Sequence, residues 1–273
     1  MLVVGAGAAG LAAASEAVAR GASVILADRS RRPIEDVSGA RTLRRTTALG
    51  LFDHQAAVLQ EHRADGTDRL WEVRAGRVIL ATGCTERPLV FPGNDRPGVM
   101  LASAALEYQE RFAVRLAERA VVFANNDSAH ETASALAARG VKTTLVDIQR
   151  LTEASALAAA GVEVIDRAEV VATHGRPSLQ AVTVRLADGS TRRLACELLA
   201  ISGGRNPNLQ LFTQAGGALV YDEAAAAYRP GPAPDGLSVV GSAAMNSPIA
   251  VEAHWRVAAP GKAFVDFQGD VTA

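Results

Sequence analysis

An α/β fold built on parallel sheets is what this 273-residue sequence predicts, and three observations predict it. A short apolar run, Leu2-Val3-Val4, leads directly into the glycine-rich turn Gly5-Ala6-Gly7-Ala8-Ala9-Gly10. An alanine-rich stretch suited to helix packing follows as far as Arg20, and a second apolar run over 22–27 ends at Asp28. The same strand–helix–strand order opens again near residue 119. Alternation of buried strands with helices of this length is the pattern of a parallel sheet.

Each further element is argued in the same way. Residues 29–70 are polar, arginine-rich and weakly patterned, so no regular element is assigned there. Strands are expected at 71–73 and 77–80, the second running into Ala81-Thr82-Gly83. The second unit comprises a helix over 103–112, a strand over 120–124, a helix over 128–139 and a strand over 142–146. Gly140 stands where a helix carboxyl-terminal glycine belongs. A helix over 151–160 and a strand over 162–165 follow. Alternating segments at 181–186 and 191–195 flank Asp188-Gly189, a hairpin signal. Apolar strands at 197–202 and 237–240 each close on glycine. The expected organisation is a dinucleotide-binding domain beginning at 1–92, an inserted nucleotide-binding-like domain at 93–204, and a return to the first domain over 205–273.

Composition narrows the function classes. Hydrophobic residues make up 49% and charged residues 21%, enough for a substantial core. The formal net charge is -1 and no lysine- or arginine-rich block occurs, so neither nucleic acid nor an anionic membrane is the expected partner. No apolar run reaches the length of a membrane span. Met1 leads straight into the first strand, leaving no room for a signal peptide. Cys84 and Cys196 form no CxxC pair. The expectation is a cytoplasmic protein without thiol–disulfide chemistry.

The glycine-rich turn matches GxGxxG. Glycine permits the tight turn and the close approach of backbone to a pyrophosphate, and the helix that follows offers amide N–H groups and a partial positive charge. Asp28, at the end of the next strand, is placed to accept hydrogen bonds from adenosine ribose hydroxyls. FAD and NAD present the same ADP half to such a site. NADP ranks third, because its 2′-phosphate meets Asp28, with Arg29, Arg31 and Arg32 available to soften the contact. A decayed unit that binds nothing is the bland alternative.

In the second unit, Phe123-Ala124-Asn125-Asn126-Asp127-Ser128 stands where a second GxGxxG is expected. Side chains crowd the phosphate position and Asp127 adds negative charge, so this second site is expected to be empty. No histidine has metal-ligand spacing with another ligand, so no metal is expected. No catalytic residue is assigned. Glu86 and Arg87 are read as cofactor contacts or a surface salt bridge, and Tyr108 and Phe112 as core or subunit interface. Cys84 is read as a small packing residue.

Ala81-Thr82-Gly83 followed by Pro88 resembles the ATG crossover of flavoproteins with two dinucleotide-binding domains, such as the pyridine nucleotide-disulfide reductases. Members that hold FAD usually end the return strand with Gly-Asp. Here Gly241 is followed by Ser242-Ala243-Ala244, which counts against FAD. A closer resemblance rests on Arg45-Thr46-Thr47 with Phe52-Asp53-His54, on VILATGCTERPLVFP (78–92) and on NDRPGVMLASAALEY (94–108). AVVFANNDSAHE (120–131), SGGRNPNLQLF (202–212) and GKAFVDFQGDVT (261–272) extend it. These segments look like the alpha subunit of heterotetrameric sarcosine oxidase.

That resemblance implies NAD, or alternatively FAD, at the first Rossmann site. FAD, FMN and the amine-oxidising centre are then expected on a flavin-bearing beta-type partner, with smaller subunits completing the hetero-oligomer. Carried over by position, Gly5, Gly7, Ala8, Ala9, Gly10 and Asp28 fall on the nucleotide motif. Arg29 and Ser30 would flank the adenosine, and Thr42 precedes the RTT segment. Thr82 and Gly83 form the crossover, and Ser242, Ala243 and Ala244 face the nucleotide from the return strand. Against that family, the stretch from Asp28 to Thr82 is short and the chain stops before a folate-type domain, so a partial copy is expected. Proline, opine and glycine dehydrogenases share similar alpha subunits, so the resemblance leaves the amine open. The alternatives are a self-contained FAD/NADH-dependent reductase and a catalytically silent nucleotide-binding scaffold.

Overall fold

The computed structural model describes residues 1–31, 34–151 and 154–245. Arg32, His254, part of the 151–160 helix and the 261–272 segment lie outside these residues. The chain divides into two compact units. The first comprises Met1–Thr85, Asn206–Glu223 and 227–245, and the second Glu86–Arg205 with Ala224–Ala226.

A five-stranded sheet organises the first unit, in the order Leu237–Val239, Val78–Leu80, Leu2–Val4, Val24–Ala27, Ala40–Leu43. All its strand pairs are parallel. Alternation along the strands decides which face each side chain covers. Val3, Val24 and Leu26 pack with Ala14 and Ala17 of the helix Ala8–Ala19. Leu2, Val4 and Ala27 point the other way, into a core with Leu51, Leu59, Val73, Leu209 and Phe212. Small alanines on the helix let it lie close to the sheet, which the glycine turn at its start requires.

The second core of this unit is where the structure corrects the sequence reading. Residues 29–70 are not irregular. Thr46–Phe52, Ala56–His62 and Asp68–Arg74 form a three-stranded antiparallel sheet. Only the strand expected at 71–73 falls within it. Its period-2 pattern is blurred by a register shift between Ala48 and Gly50, and by charged side chains on the outward face of Asp68–Arg74. One face still buries Leu51, Ala57, Leu59 and Val73.

The second unit repeats this plan. Its five-stranded parallel sheet has the order Glu163–Ile165, Lys142–Asp147, Arg119–Ala124, Leu198–Ser202, Val99–Leu101. Ala120, Val122, Ala124, Leu145 and Ala200 face a core that includes Ala105, Ala133 and Leu157 from helices Ala102–Phe112, Ser128–Ala138 and Ala154–Ala159. Val121, Phe123, Val146, Leu199 and Ile201 meet Val170, Val182, Val184 and Leu194 of a three-stranded antiparallel sheet. The expected hairpin is present: Ala181–Arg185 pairs with Thr191–Ala195. Gly189 takes φ +83° at the turn, and the Asp188 carboxylate accepts the Ser190 amide at 2.9 Å. Both units are therefore α/β layers, the parallel sheet lying between an antiparallel meander and one helix in the first unit or several in the second.

Candidate dinucleotide-binding site

The first helix begins without a side-chain cap. Gly7 is its N-cap residue, with extended backbone and no capping hydrogen bond from a side chain. The opening amides of a helix have no partner within it, so here they are left to solvent or a ligand. The three motif glycines do different work. A Cβ on Gly5, whose φ is +104°, would meet the Ala81 carbonyl oxygen at 2.2 Å, and one on Gly10 would meet the Gly5 oxygen at 1.9 Å. These two glycines let strand, turn and helix touch. A Cβ on Gly7 would meet nothing within 4 Å, and Gly7 and Ala8 are exposed. That open position is where a bulky anion can approach the backbone.

Asp28 braces the same turn. Its carboxylate accepts the Ala6 amide at 2.7 Å through Oδ2 and the Ser30 amide at 2.7 Å through Oδ1. Its oxygens therefore already have protein donors, although a carboxylate retains lone pairs for a ribose hydroxyl. Arg29 is exposed, and Thr42 lies one strand further out, in register with Leu26.

The crossover closes the other side. Thr82 donates its hydroxyl to the Asn208 carbonyl at 2.6 Å, and the Asn208 side-chain amide donates to the Thr82 carbonyl at 3.1 Å. The Asn208 backbone amide reaches the Gly83 carbonyl at 3.0 Å, and Thr85 donates to the Asn208 side-chain oxygen at 2.9 Å. Asn208 thus locks the turn from a distant segment. Sequence reasoning did not assign it, although it lies in the SGGRNPNLQLF run that carries the resemblance. On the return segment, a Cβ on Gly241 would come within 2.5 Å of the Ala9 Cβ, and one on Gly83 would lie 3.9 Å from the Ser242 hydroxyl. Gly241–Ala244 forms a 3-10 turn with Ala243 buried. The structure therefore gathers Gly5, Ala9, Gly10, Thr82, Gly83 and Ser242 around one helix start.

The corresponding turn of the second unit is filled by its own side chains. Asn125 and Asn126 are buried. The Asn126 amide donates to the Ser202 carbonyl at 3.0 Å and hydroxyl at 3.1 Å, while its oxygen accepts the Ser128 amide at 3.1 Å. Gln149 donates to the Asn125 carbonyl at 2.8 Å. At the end of the second strand, Asp147 is fully buried, 3.2 Å from His130 Nε2. Burial pushes its carboxyl above the usual range against the pull of that contact.

Two further readings are corrected. Glu86 and Arg87 are buried rather than on the surface. Glu86 accepts the Ser103 amide at 2.7 Å, while Arg87 donates to the carbonyls of Gly203, Ala225 and Ala226. Both therefore organise the second unit's backbone. Tyr108 and Phe112 are exposed, their rings 5.8 Å apart, so they are not core. Cys84 is partly buried, and Cys196 is buried with its thiol pushed up to about 12 by desolvation.

Two parallel sheets in separate units, the first carrying a bare glycine turn and an ATG crossover, define the fold of the oxidoreductases built from paired Rossmann-like units. The family model for pyridine nucleotide-disulphide oxidoreductases matches residues 37–229, and the chain belongs to that family.

Within it, the chain is homologous to sarcosine oxidase subunit alpha. It is 36% identical to that of Corynebacterium sp. (strain P-1) over 84% of this chain, and 33% identical to that of Rhizobium meliloti (strain 1021) over 92%. It spans only 28% and 29% of the length of those relatives. L-proline dehydrogenase from P. horikoshii has the same fold, with a TM-score of 0.65 at 23% identity, covering 89% of this chain and 50% of that one. No helix among the described residues is long and apolar enough to cross a membrane.

Proposed function

We propose that this chain is the dinucleotide-binding part of an alpha-type subunit in a heteromeric, flavin-dependent amine oxidoreductase, with NAD held at the first unit's glycine turn. One observation carries the reading: the uncapped start of the first helix, open at Gly7 and braced from behind by Gly5, Gly10 and Asp28. Bound NAD supplies a two-electron hydride couple at its nicotinamide end. This chain's residues hold the other end. The amides at the helix start cradle the pyrophosphate, Asp28 orients the adenosine ribose, and Thr82, Gly83 and the Ser242–Ala244 segment wall the pocket.

The relatives' name, subunit alpha, supports a hetero-oligomer. In it a beta-type partner bears the FAD, FMN and amine-oxidising centre, and smaller subunits complete the assembly. Sarcosine is the favoured substrate, demethylated to glycine. The inserted domain at 93–204 serves as a packing unit whose nucleotide position is filled by Asn125 and Asn126. The cytoplasm is the proposed compartment. FAD remains the second occupant of the first site, favoured by the family match.

The test is purification of the chain alone and with its candidate partner. A colourless chain that binds NAD, with sarcosine-dependent peroxide only in the complex, supports the proposal. A yellow chain that reduces an acceptor with NADH by itself replaces it with the self-contained reductase. A chain that binds no dinucleotide, alone or in the complex, defeats it.

A further inference from the structure

Three arginines stand close together around the third strand of the first unit, and their side chains have different fates. Arg41 lies over the Trp71 ring, 4.9 Å from its centroid. Arg44 donates to the Ile34 carbonyl at 3.1 Å and pairs with Asp36 at 2.8 Å. Arg45 has neither arrangement. Its Nε is buried and has no hydrogen-bond partner, and its backbone is held in the left-handed region at φ 52°.

Both features are costly. A buried N–H donor without an acceptor forfeits its hydration, and left-handed backbone is unfavourable for a residue with a long side chain. Such residues persist where the surroundings hold them in place, and they concentrate at ligand sites. The surroundings here are the carboxyl ends of two parallel strands, the edge at which this fold binds its ligands. The Arg45 amide donates to the Ser30 carbonyl at 3.2 Å, and the next amide, Thr46, donates to the Asp28 carbonyl at 2.8 Å. The His62 amide fixes the Arg45 carbonyl at 2.9 Å. Arg45 is therefore stitched by backbone bonds to the segment that carries the ribose acceptor.

We propose that Arg45 is a specificity-determining residue of the dinucleotide site, its guanidinium donating to acceptor atoms of the adenosine half. The inference rests on the reading of the glycine turn as a dinucleotide site and adds to it the residue that recognises the adenosine. The ligand is the 2′-hydroxyl form, because the Asp28 carboxylate stands in the same strand-end segment and repels a 2′-phosphate. Glycine-turn amides recognise only the pyrophosphate that every dinucleotide shares, so recognition of the adenosine half has to come from side chains at the strand ends, Arg45 as donor and Asp28 as the group that disfavours a 2′-phosphate.

The test is calorimetric titration of the whole chain and of its Arg45→Ala and Arg45→Lys variants with NAD, NADP, ADP-ribose and nicotinamide mononucleotide, alongside thermal melting. Arg45→Ala is expected to weaken NAD and ADP-ribose by at least about tenfold, about 1.4 kcal/mol. Nicotinamide mononucleotide should bind both proteins alike, and the melting temperature should not fall, since the residue removed leaves no internal partner behind. Arg45→Lys should recover part of the affinity. Unchanged affinity in Arg45→Ala, a loss accompanied by lower melting temperature, or tighter binding of NADP than NAD by the wild type each overturns the proposal. If the wild type binds neither NAD nor ADP-ribose, the reading of the glycine turn fails first, and that outcome is distinct from a wild type that binds while the variant is unaffected.

Discussion

Asp28 directly follows the strand Val24–Ala27 and Asp147 is the last residue of Lys142–Asp147, and each accepts the backbone amide two residues further on, at 2.7 Å from Ser30 and 2.8 Å from Gln149. Their other oxygens part company. Asp28 accepts the Ala6 amide of an open glycine turn, whereas Asp147 meets His130, a side chain from the helix that follows a filled turn. The same local device thus serves an accessible backbone in one unit and an internally satisfied polar cluster in the other.

The bracing role of Asp28 separates two substitutions. Asp28→Ala leaves the Ala6 and Ser30 amides without their acceptor, and a loss of about 1–3 kcal/mol of stability is expected for each amide that water cannot reach. Asp28→Asn retains one acceptor oxygen and should lose less. Denaturant unfolding of both variants, with NAD titration beside it, measures this; equal stability of Asp28→Ala and wild type would show that the carboxylate braces nothing.

The glycines of the motif are not equivalent. Gly10→Ala drives a Cβ to 1.9 Å from the Gly5 oxygen, so the helix start has to shift, at roughly 2–3 kcal/mol. Gly7→Ala meets nothing and leaves stability unchanged, but its methyl stands where a pyrophosphate approaches and should weaken NAD binding. Melting curves and titrations on both variants settle this, and a Gly7→Ala protein that melts lower than Gly10→Ala contradicts it.

Asn208 gives a third outcome. Removing its side chain in Asn208→Ala frees the Thr82 carbonyl and the Thr85 hydroxyl, with an expected cost of about 1–3 kcal/mol. Hydrogen exchange should quicken around 81–85 before the second unit's helix Ser128–Ala138 responds. Uniform quickening across both units counts against a local clamp.

Asp147 predicts a pH dependence. Its folded-state value is raised above the ordinary 3.8, so the folded chain binds more protons there than the unfolded chain. Its contribution to stability therefore falls as pH rises from near 3.8 up through the raised folded value. Asp147→Asn lacks that ionisation. The melting temperature of the variant minus that of the wild type should increase with pH over this range, and a flat or falling difference would falsify the assignment.

The two cysteines should differ in reactivity. Cys196 is buried, with its thiol pushed up to about 12, so almost no thiolate is present in weakly alkaline solution. Brief alkylation of the folded protein near pH 8, read by peptide mass spectrometry, should label Cys84 and spare Cys196. Early labelling of Cys196 would mean that its surroundings open readily.

Legibility in the sequence followed the range of the interaction. The first βαβ unit, four of the five strands of the second parallel sheet and the 181–195 hairpin were readable because periodicity and turn glycines act between near neighbours, whereas the edge strand Val99–Leu101 was not assigned. The antiparallel sheet over 46–74 was not, because its register shift and its charged outer face hide an alternation that only pairing reveals. Glu86 and Arg87 misled for a related reason. Charged residues are ordinarily exposed, and nothing local announces that the Ser103 amide or the Gly203 and Ala225 carbonyls will satisfy them.

Alone, then, the amino-acid order determined the α/β class, the position of the glycine turn and the family to which the chain belongs, since strand–helix alternation and contiguous motifs are local properties. The tertiary structure decided what each motif residue does. Gly10 must lack a side chain because of the Gly5 carbonyl, Gly7 faces open space at the helix start, and the crossover holds its shape through Asn208. Arg45 is set beside Asp28 by backbone bonds between strand ends. Such contacts join residues far apart along the chain, and only folding brings their atoms within reach.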